Sequence, residues 1–147
     1  MARSPLEVVQ STYQAFGRGD LGAVMQNLAD SAEWKFVGSR GLASTGSFRG
    51  KPQIARFFAA LAQENEILEF EPREFLAGDD HVTVLGRERT RDRGTSKVFE
   101  AEWVHVFTVR DGLVTRYWGM LDTEAEGQAR LADGDQPMIG GGVEASP

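Results

Sequence analysis

The sequence predicts an α+β fold: three helices at the N-terminus, packed on one face of a curved, mainly antiparallel sheet. Two observations predict it. Apolar residues recur at steps of three and four up to Leu61, and from Ile67 onward they recur at every second position instead. The turn signals "GDD", "DRGT" and "RDG" then cut the second part into four segments that can pair as a meander. The chain has 147 residues, 41% hydrophobic and 26% charged, which fits one domain with its own core.

Ser4-Pro5-Leu6-Glu7 is a helix start. Ser4 can accept an orphan amide, Glu7 can complete a capping box, and Pro5 sits where its missing N–H costs nothing. Leu6, Val9, Tyr13 and Phe16 form the apolar stripe of that helix, which Gly17 and Gly19 stop. Asp20 is the N-cap of a short second helix with Leu21, Val24, Met25 and Leu28 on its buried face. "AEWKFVG" alternates as a strand with Trp34 and Phe36 on one side, and the Gly- and Ser-rich "GSRGLASTGSFRG" after it reads as an irregular loop. Lys51-Pro52 starts a third helix whose Ile54, Phe57, Phe58 and Leu61 fall at i, i+3, i+4 and i+7. Strands are expected at about 67–77, 81–92, 97–109 and 113–122. Beyond Thr123 the composition shifts, so residues 1–123 are read as the domain and 124–147 as a tail that adds little to the core, with a short helix near 124–132.

Composition removes several classes of function. With no Cys and only two His, thiolate and histidine-rich metal sites, disulfide scaffolds and cysteine nucleophiles are not expected. A net charge of -6 argues against a broad phosphate-binding surface, and the basic run "GRERTRDRGTSK" is interleaved with acids, as in a solvated hairpin. No apolar stretch reaches the ~20 residues of a membrane span, and "MARSPLEVV" lacks the apolar core of a signal peptide. The expectation is a cytoplasmic protein without nucleic-acid or membrane partners. On the segment 97–109 one face carries Phe99, Ala101, Trp103, His105, Phe107 and Val109 and is the core. The other face carries Val98, Glu100, Glu102, Val104, Val106 and Thr108, and with Met120 it makes an apolar patch that predicts a homodimer through the sheet.

The order of elements, together with "VVQSTYQAFGRGDLGAVMQNLADSAEW", "GSFRGKPQIARFFAAL" and "WVHVFTVRDGLVTRYWGMLDT", resembles the cone-shaped fold shared by nuclear transport factor two, ketosteroid isomerase and the SnoaL-like polyketide cyclases. The resemblance covers about residues 6–123 and implies a deep pocket between the helices and the concave face of the sheet. By periodicity and resemblance together, that pocket is lined or floored by Trp34, Phe36, Phe57, Phe58, Leu61, Val84, Trp103 and Phe107, which suits a small hydrophobic molecule.

The resemblance also says what is missing. The tyrosine of a ketosteroid isomerase falls on Thr12, its base on Phe36 and its oxyanion-binding aspartate on His105, so that reaction is disfavoured. Tyr13 is adjacent but turned by about 100°. His105 is the leading candidate for a general acid or base. A three-residue "RDG" turn would pair it with Tyr117, and a two-residue Asp111-Gly112 turn would bring Arg116 and Trp118 inward instead; the resemblance favours the first. Glu88 is placed opposite Phe99, six residues of strand or about 20 Å from His105, as a rim or ion-paired residue. Asp122 is read both as an acid near the pocket and as the cap of a following helix. The expected activity is that of a cofactor-free lyase, isomerase or cyclase using His105, Tyr117, Asp122 and Tyr13; the alternative is a binding or dimerisation module of the same fold.

Overall fold

A computed structural model describes residues 3–39 and 41–132. Residues Arg40 and 133–147, the latter most of the expected tail, lie outside the described residues.

Helix α1 (Pro5–Gly17) begins with the capping box: Glu7 N–H donates to Ser4 Oγ at 3.1 Å and Ser4 N–H to Glu7 Oε1 at 2.8 Å. Its buried face is broader than the predicted stripe, with Val8, Val9, Thr12 and Ala15 sealed and Leu6, Tyr13 and Phe16 packed at the edges. Asp20 caps α2 (Leu21–Gln26) through the Ala23 amide at 3.0 Å. Strand β1 (Leu28–Val37) follows, with Ala32, Trp34 and Phe36 buried. The "GSFRG" end of the expected loop is instead a short strand, β2 (Gly46–Arg49), which pairs back on β1 and leads into α3 (Gly50–Glu64). Its four residues alternate between half-buried and exposed, too short a run for periodicity to separate from a loop.

The remaining strands are β3 (Asn65–Ala77), β4 (His81–Asp92), β5 (Val98–Arg110) and β6 (Leu113–Leu121). The sheet order is β2-β1-β6-β5-β4-β3; only the β1–β6 pairing is parallel. Helices α1 to α3 cover the face that carries Trp103, His105, Phe107 and Tyr117. After β6 the chain turns into α4 (Thr123–Ala129), which packs on β5 and buries Glu126 and Ala129. The short helix expected near 124–132 is α4, and it adds Ala129 to the core with Ala125 packed against it.

Two registers differ from the simplest reading. The β5–β6 turn is the two-residue one, Asp111-Gly112, with positive φ at both residues (53° and 76°) as a type I′ turn requires. That turn alone would send Arg116 and Trp118 inward. An extra residue, Thr115, is bulged out between the pairs Val109–Val114 and Thr108–Arg116, and this restores Tyr117, Gly119 and Leu121 to the inner face. His105 therefore faces Gly119, and the direct His105–Tyr117 pairing is corrected to a diagonal one. On the other side, the β4–β5 loop spans Arg93–Ser96, with Asp92 N–H bonded to Lys97 O, so Glu88 lies opposite Ala101 and His105 opposite Val84. The outward arginines of the basic run pair with acids of neighbouring strands, Arg87 with Glu69 at 2.9 Å and Arg91 with Glu66 at 2.7 Å.

Two glycines make room for rings on the concave face. A Cβ at Gly119 would lie 2.1 Å from Tyr117 Oη, and one at Gly86 2.3 Å from Trp103 Cζ2 and 2.6 Å from the Glu71 carbonyl oxygen. The Tyr117 ring lies along its own strand over Gly119, and the Trp103 ring lies across β4 over Gly86, because neither glycine has a side chain.

Candidate active site

The helices and the concave face enclose a cavity of about 70 Å³, room for several waters and smaller than a drug-sized ligand pocket. Of the residues predicted to form it, Tyr13, Trp34, Phe36, Phe57, Phe58, Leu61, His105, Phe107 and Tyr117 line it. Val84 and Trp103 do not; they are buried behind the lining, and Trp103 backs His105 with ring centroids 4.0 Å apart. Asp122 is also outside: it is exposed and accepts the Glu124 amide at 3.0 Å and the Ala125 amide at 3.4 Å, which makes it the cap of α4.

Under α1, the Tyr13 hydroxyl lies 2.7 Å from His105 Nδ1. The 100° offset of Tyr13 from the family position does not keep it out of the cavity, since both Thr12 and Tyr13 line it. Thr12 is tied up locally, donating to the Val8 carbonyl at 2.8 Å and accepting from Asn27 Nδ2 at 2.9 Å. Burial lowers the His105 pKa to about 3 and raises Tyr13 well above the usual phenol range, so both are neutral near pH 7. Tyr13 has no other acceptor among the described residues, so its O–H donates to Nδ1 and the imidazole proton resides on Nε2. That Nε2–H has no protein partner among the described residues and is not among the sealed polar atoms, so it faces the cavity. The Tyr117 ring is edge-on to His105 at 5.1 Å and stacked on Trp34 at 3.9 Å. Its hydroxyl is likewise without a partner among the described residues, and burial, reinforced by the Glu88 charge, keeps it protonated.

Under α4 the lining is polar. Glu88 lines the cavity and is half-buried, and its expected distance of six strand residues from His105 is corrected: the longer β4–β5 loop brings it to within four, about 13 Å at the usual rise. Among the described residues it forms no ion pair; Thr90 Oγ1 donates to it at 2.5 Å, and burial outweighs that bond to raise its pKa. Beside it, Glu126 is 1% exposed and accepts the Ser39 amide at 2.7 Å, the Ser39 hydroxyl at 2.9 Å and two Arg130 N–H groups. Arg130 also donates to Asp92 at 2.6 Å and to Asn65 at 2.8 Å. Ser44 closes this end, donating to Glu64 Oε1 at 2.5 Å. The signal for Glu126 and Arg130 was present as an i, i+4 Glu-to-Arg pair, but that pattern marks solvated helices far more often than cavity walls. Among the described residues no group of three or more His, Asp or Glu side chains converges to hold a metal ion, and no helix is long and apolar enough to cross a membrane.

The arrangement offers two uncharged donors, Tyr117 Oη–H and His105 Nε2–H, and, beside the ion-paired Glu126, one carboxylate with no ion pair among the described residues, inside walls that are otherwise largely aromatic. Such a set can polarise a carbonyl or hydroxyl oxygen while a proton moves to or from the carboxylate.

A family model described as the SnoaL-like domain matches residues 9–117. A solved NTF2-like protein from Burkholderia xenovorans LB400 is 30% identical over 88% of this chain and 97% of its own, with a TM-score of 0.77. Another NTF2-like protein, from Burkholderia thailandensis E264, is 28% identical over 88% of this chain and 99% of its own, with a TM-score of 0.81. TerC co-crystallised with polyporic acid is 24% identical over 85% of this chain and 96% of its own, at a TM-score of 0.77. No curated protein matches the chain.

Proposed function

This chain belongs to the SnoaL-like domain family, and on that premise we propose that it is a cofactor-free acid–base enzyme, an isomerase, lyase or cyclase acting on a small hydrophobic molecule of aromatic or polyketide-like character. The observation that carries the reading is the coexistence, in one largely aromatic cavity, of a carboxylate without an ion pair and two neutral donors without partners among the described residues. Glu88 takes or returns the proton; its raised pKa moves it toward the neutral range where such transfer is efficient. Tyr117 and His105 hold the oxygen on which charge develops. With a pKa of about 3, His105 is a poor base at neutral pH, so its role shifts from general base to hydrogen-bond donor, with Tyr13 fixing its tautomer.

The test is proton exchange into D2O, followed by NMR, with a panel of aromatic ketones and β-hydroxy ketones. Wild type is expected to exchange the activated C–H faster than buffer, and Glu88→Gln to lose about 10²- to 10⁴-fold of that rate while remaining folded. Unchanged exchange in the variant would remove Glu88 from the mechanism. The small volume of the cavity, about 70 Å³, favours a second reading, a binding module without turnover; compounds that titrate into the cavity with no exchange at all would support it.

For the assembly we propose a homodimer through the outer face of the sheet. Val104 and Val106 are half-buried there and Met120, opposite Val104, is 43% exposed. A charge at Val106 (Val106→Asp) should convert dimers to monomers in sedimentation; a wild type that already sediments as a monomer ends the proposal.

A further inference from the structure

Building on the reading of the cavity as a small-molecule site, we infer that it selects uncharged aromatic molecules that direct a hydroxyl at Glu88, and that it rejects carboxylates. Arg130 is the one cation among the described lining residues, and its guanidinium is nearly saturated. Nε–H and one Nη2–H go to Glu126, the other Nη2–H to Asn65 and one Nη1–H to Asp92, which leaves a single N–H of five. Its flat face lies over Phe99 at 5.5 Å. An entering carboxylate therefore finds no two-pronged partner, the geometry that makes arginine a carboxylate receptor.

Charge points the same way. Among the described lining residues two carboxylates, Glu88 and Glu126, stand against one cation, Arg130, so the lining at this end carries net negative charge. Like charge in a water-poor cavity is strongly unfavourable, more so than at the surface. Glu88 itself receives one hydrogen bond, from Thr90, where a carboxylate has about four acceptor positions. Its unfilled positions call for a donor. A hydroxyl supplies one without bringing charge, and an aromatic body suits the rings that make up the rest of the wall, Phe58, Phe70 and Phe107 among them.

The experiment titrates the full chain at pH 8 with p-cresol, 4-methylanisole and p-toluate, which share one ring and differ only in hydroxyl, ether and carboxylate, and follows cavity resonances by NMR. The expected order is p-cresol first, at least about tenfold tighter than both 4-methylanisole and p-toluate, as one charge-assisted hydrogen bond predicts. Glu88→Gln should narrow the gap between p-cresol and p-toluate to within about threefold. The wild-type order decides the matter even where the variant does not fold. If p-toluate binds as tightly as p-cresol, or if the ether equals the phenol, the selectivity inference is overturned while the cavity reading stands. If none of the three shifts a cavity resonance, the cavity reading itself falls.

Discussion

Under α1, the cavity's polar groups are electrically neutral and come from α1 itself and the middle of the sheet; under α4, they include the charged Glu88, Glu126 and Arg130 beside the neutral Ser44 and Asn65, drawn from β4, α4 and its C-cap, the β1–β2 connection and β3. At the first end a single hydrogen bond, Tyr13 to His105, orients an imidazole that burial keeps unprotonated. At the second, Arg130 ties Glu126, Asp92 and Asn65 into one network that also anchors α4. The difference teaches where chemistry can be read from alternation alone and where it depends on a distant segment docking.

The largest expected effect is at the charged end. Arg130→Met leaves Glu126 and Asp92 buried without their cation, and breaking such a pair costs about 3–5 kcal/mol, measurable by urea unfolding. A loss under about 1 kcal/mol would mean that α4 is not integral to the fold.

The neutral end is tested by pH. The unfolded imidazole binds a proton below about 6.5 and the folded one resists it until about 3. The stability that His105 contributes is thus complete above pH 6.5 and is lost as pH falls through the window toward 3, by up to about 5 kcal/mol in total. His105→Gln should lack that part of the pH dependence, so the difference between the two unfolding curves across pH 3–6.5 is the measurement.

A smaller effect is expected at Gly119. Gly119→Ala pushes a methyl against the Tyr117 hydroxyl, and overpacking of this kind costs about 1–3 kcal/mol. It should also shift Tyr117 resonances while leaving those of Glu126 in place, separating the two ends. The smallest effect is at the cap: Asp122→Ala should cost about 1 kcal/mol, seen as faster amide exchange confined to α4. A loss of proton transfer much larger than that change in stability would return Asp122 to the catalytic candidates.

The comparison also marks what was legible. Helix starts, apolar stripes and four long strands are written locally, and the strand expected at 97–109 runs Val98–Arg110. His105 was identifiable because an ionisable ring among Trp103, Phe107 and Val109 breaks a local pattern, whatever the partner strand does. Glu88 was visible as an inward acid but misplaced along its strand, because the loop after Asp92 has four residues rather than two. Tyr117 was read inward through the three-residue turn that the resemblance favours; the structure reaches the same face differently, by the two-residue turn and a bulge at Thr115 that neither alternative contained.

By itself, then, the amino-acid order determined the succession of elements, the family resemblance and which face of β5 is apolar, since each rests on neighbours within a few residues. Only the tertiary structure decided which strand positions meet, that Tyr13 reaches His105, and that Glu126 and Arg130 close the cavity. The physical reason is the two-residue period of a strand. One bulged residue reverses every side chain beyond it and a loop longer by two slides a whole strand, at an energy that depends on the packing of the completed sheet.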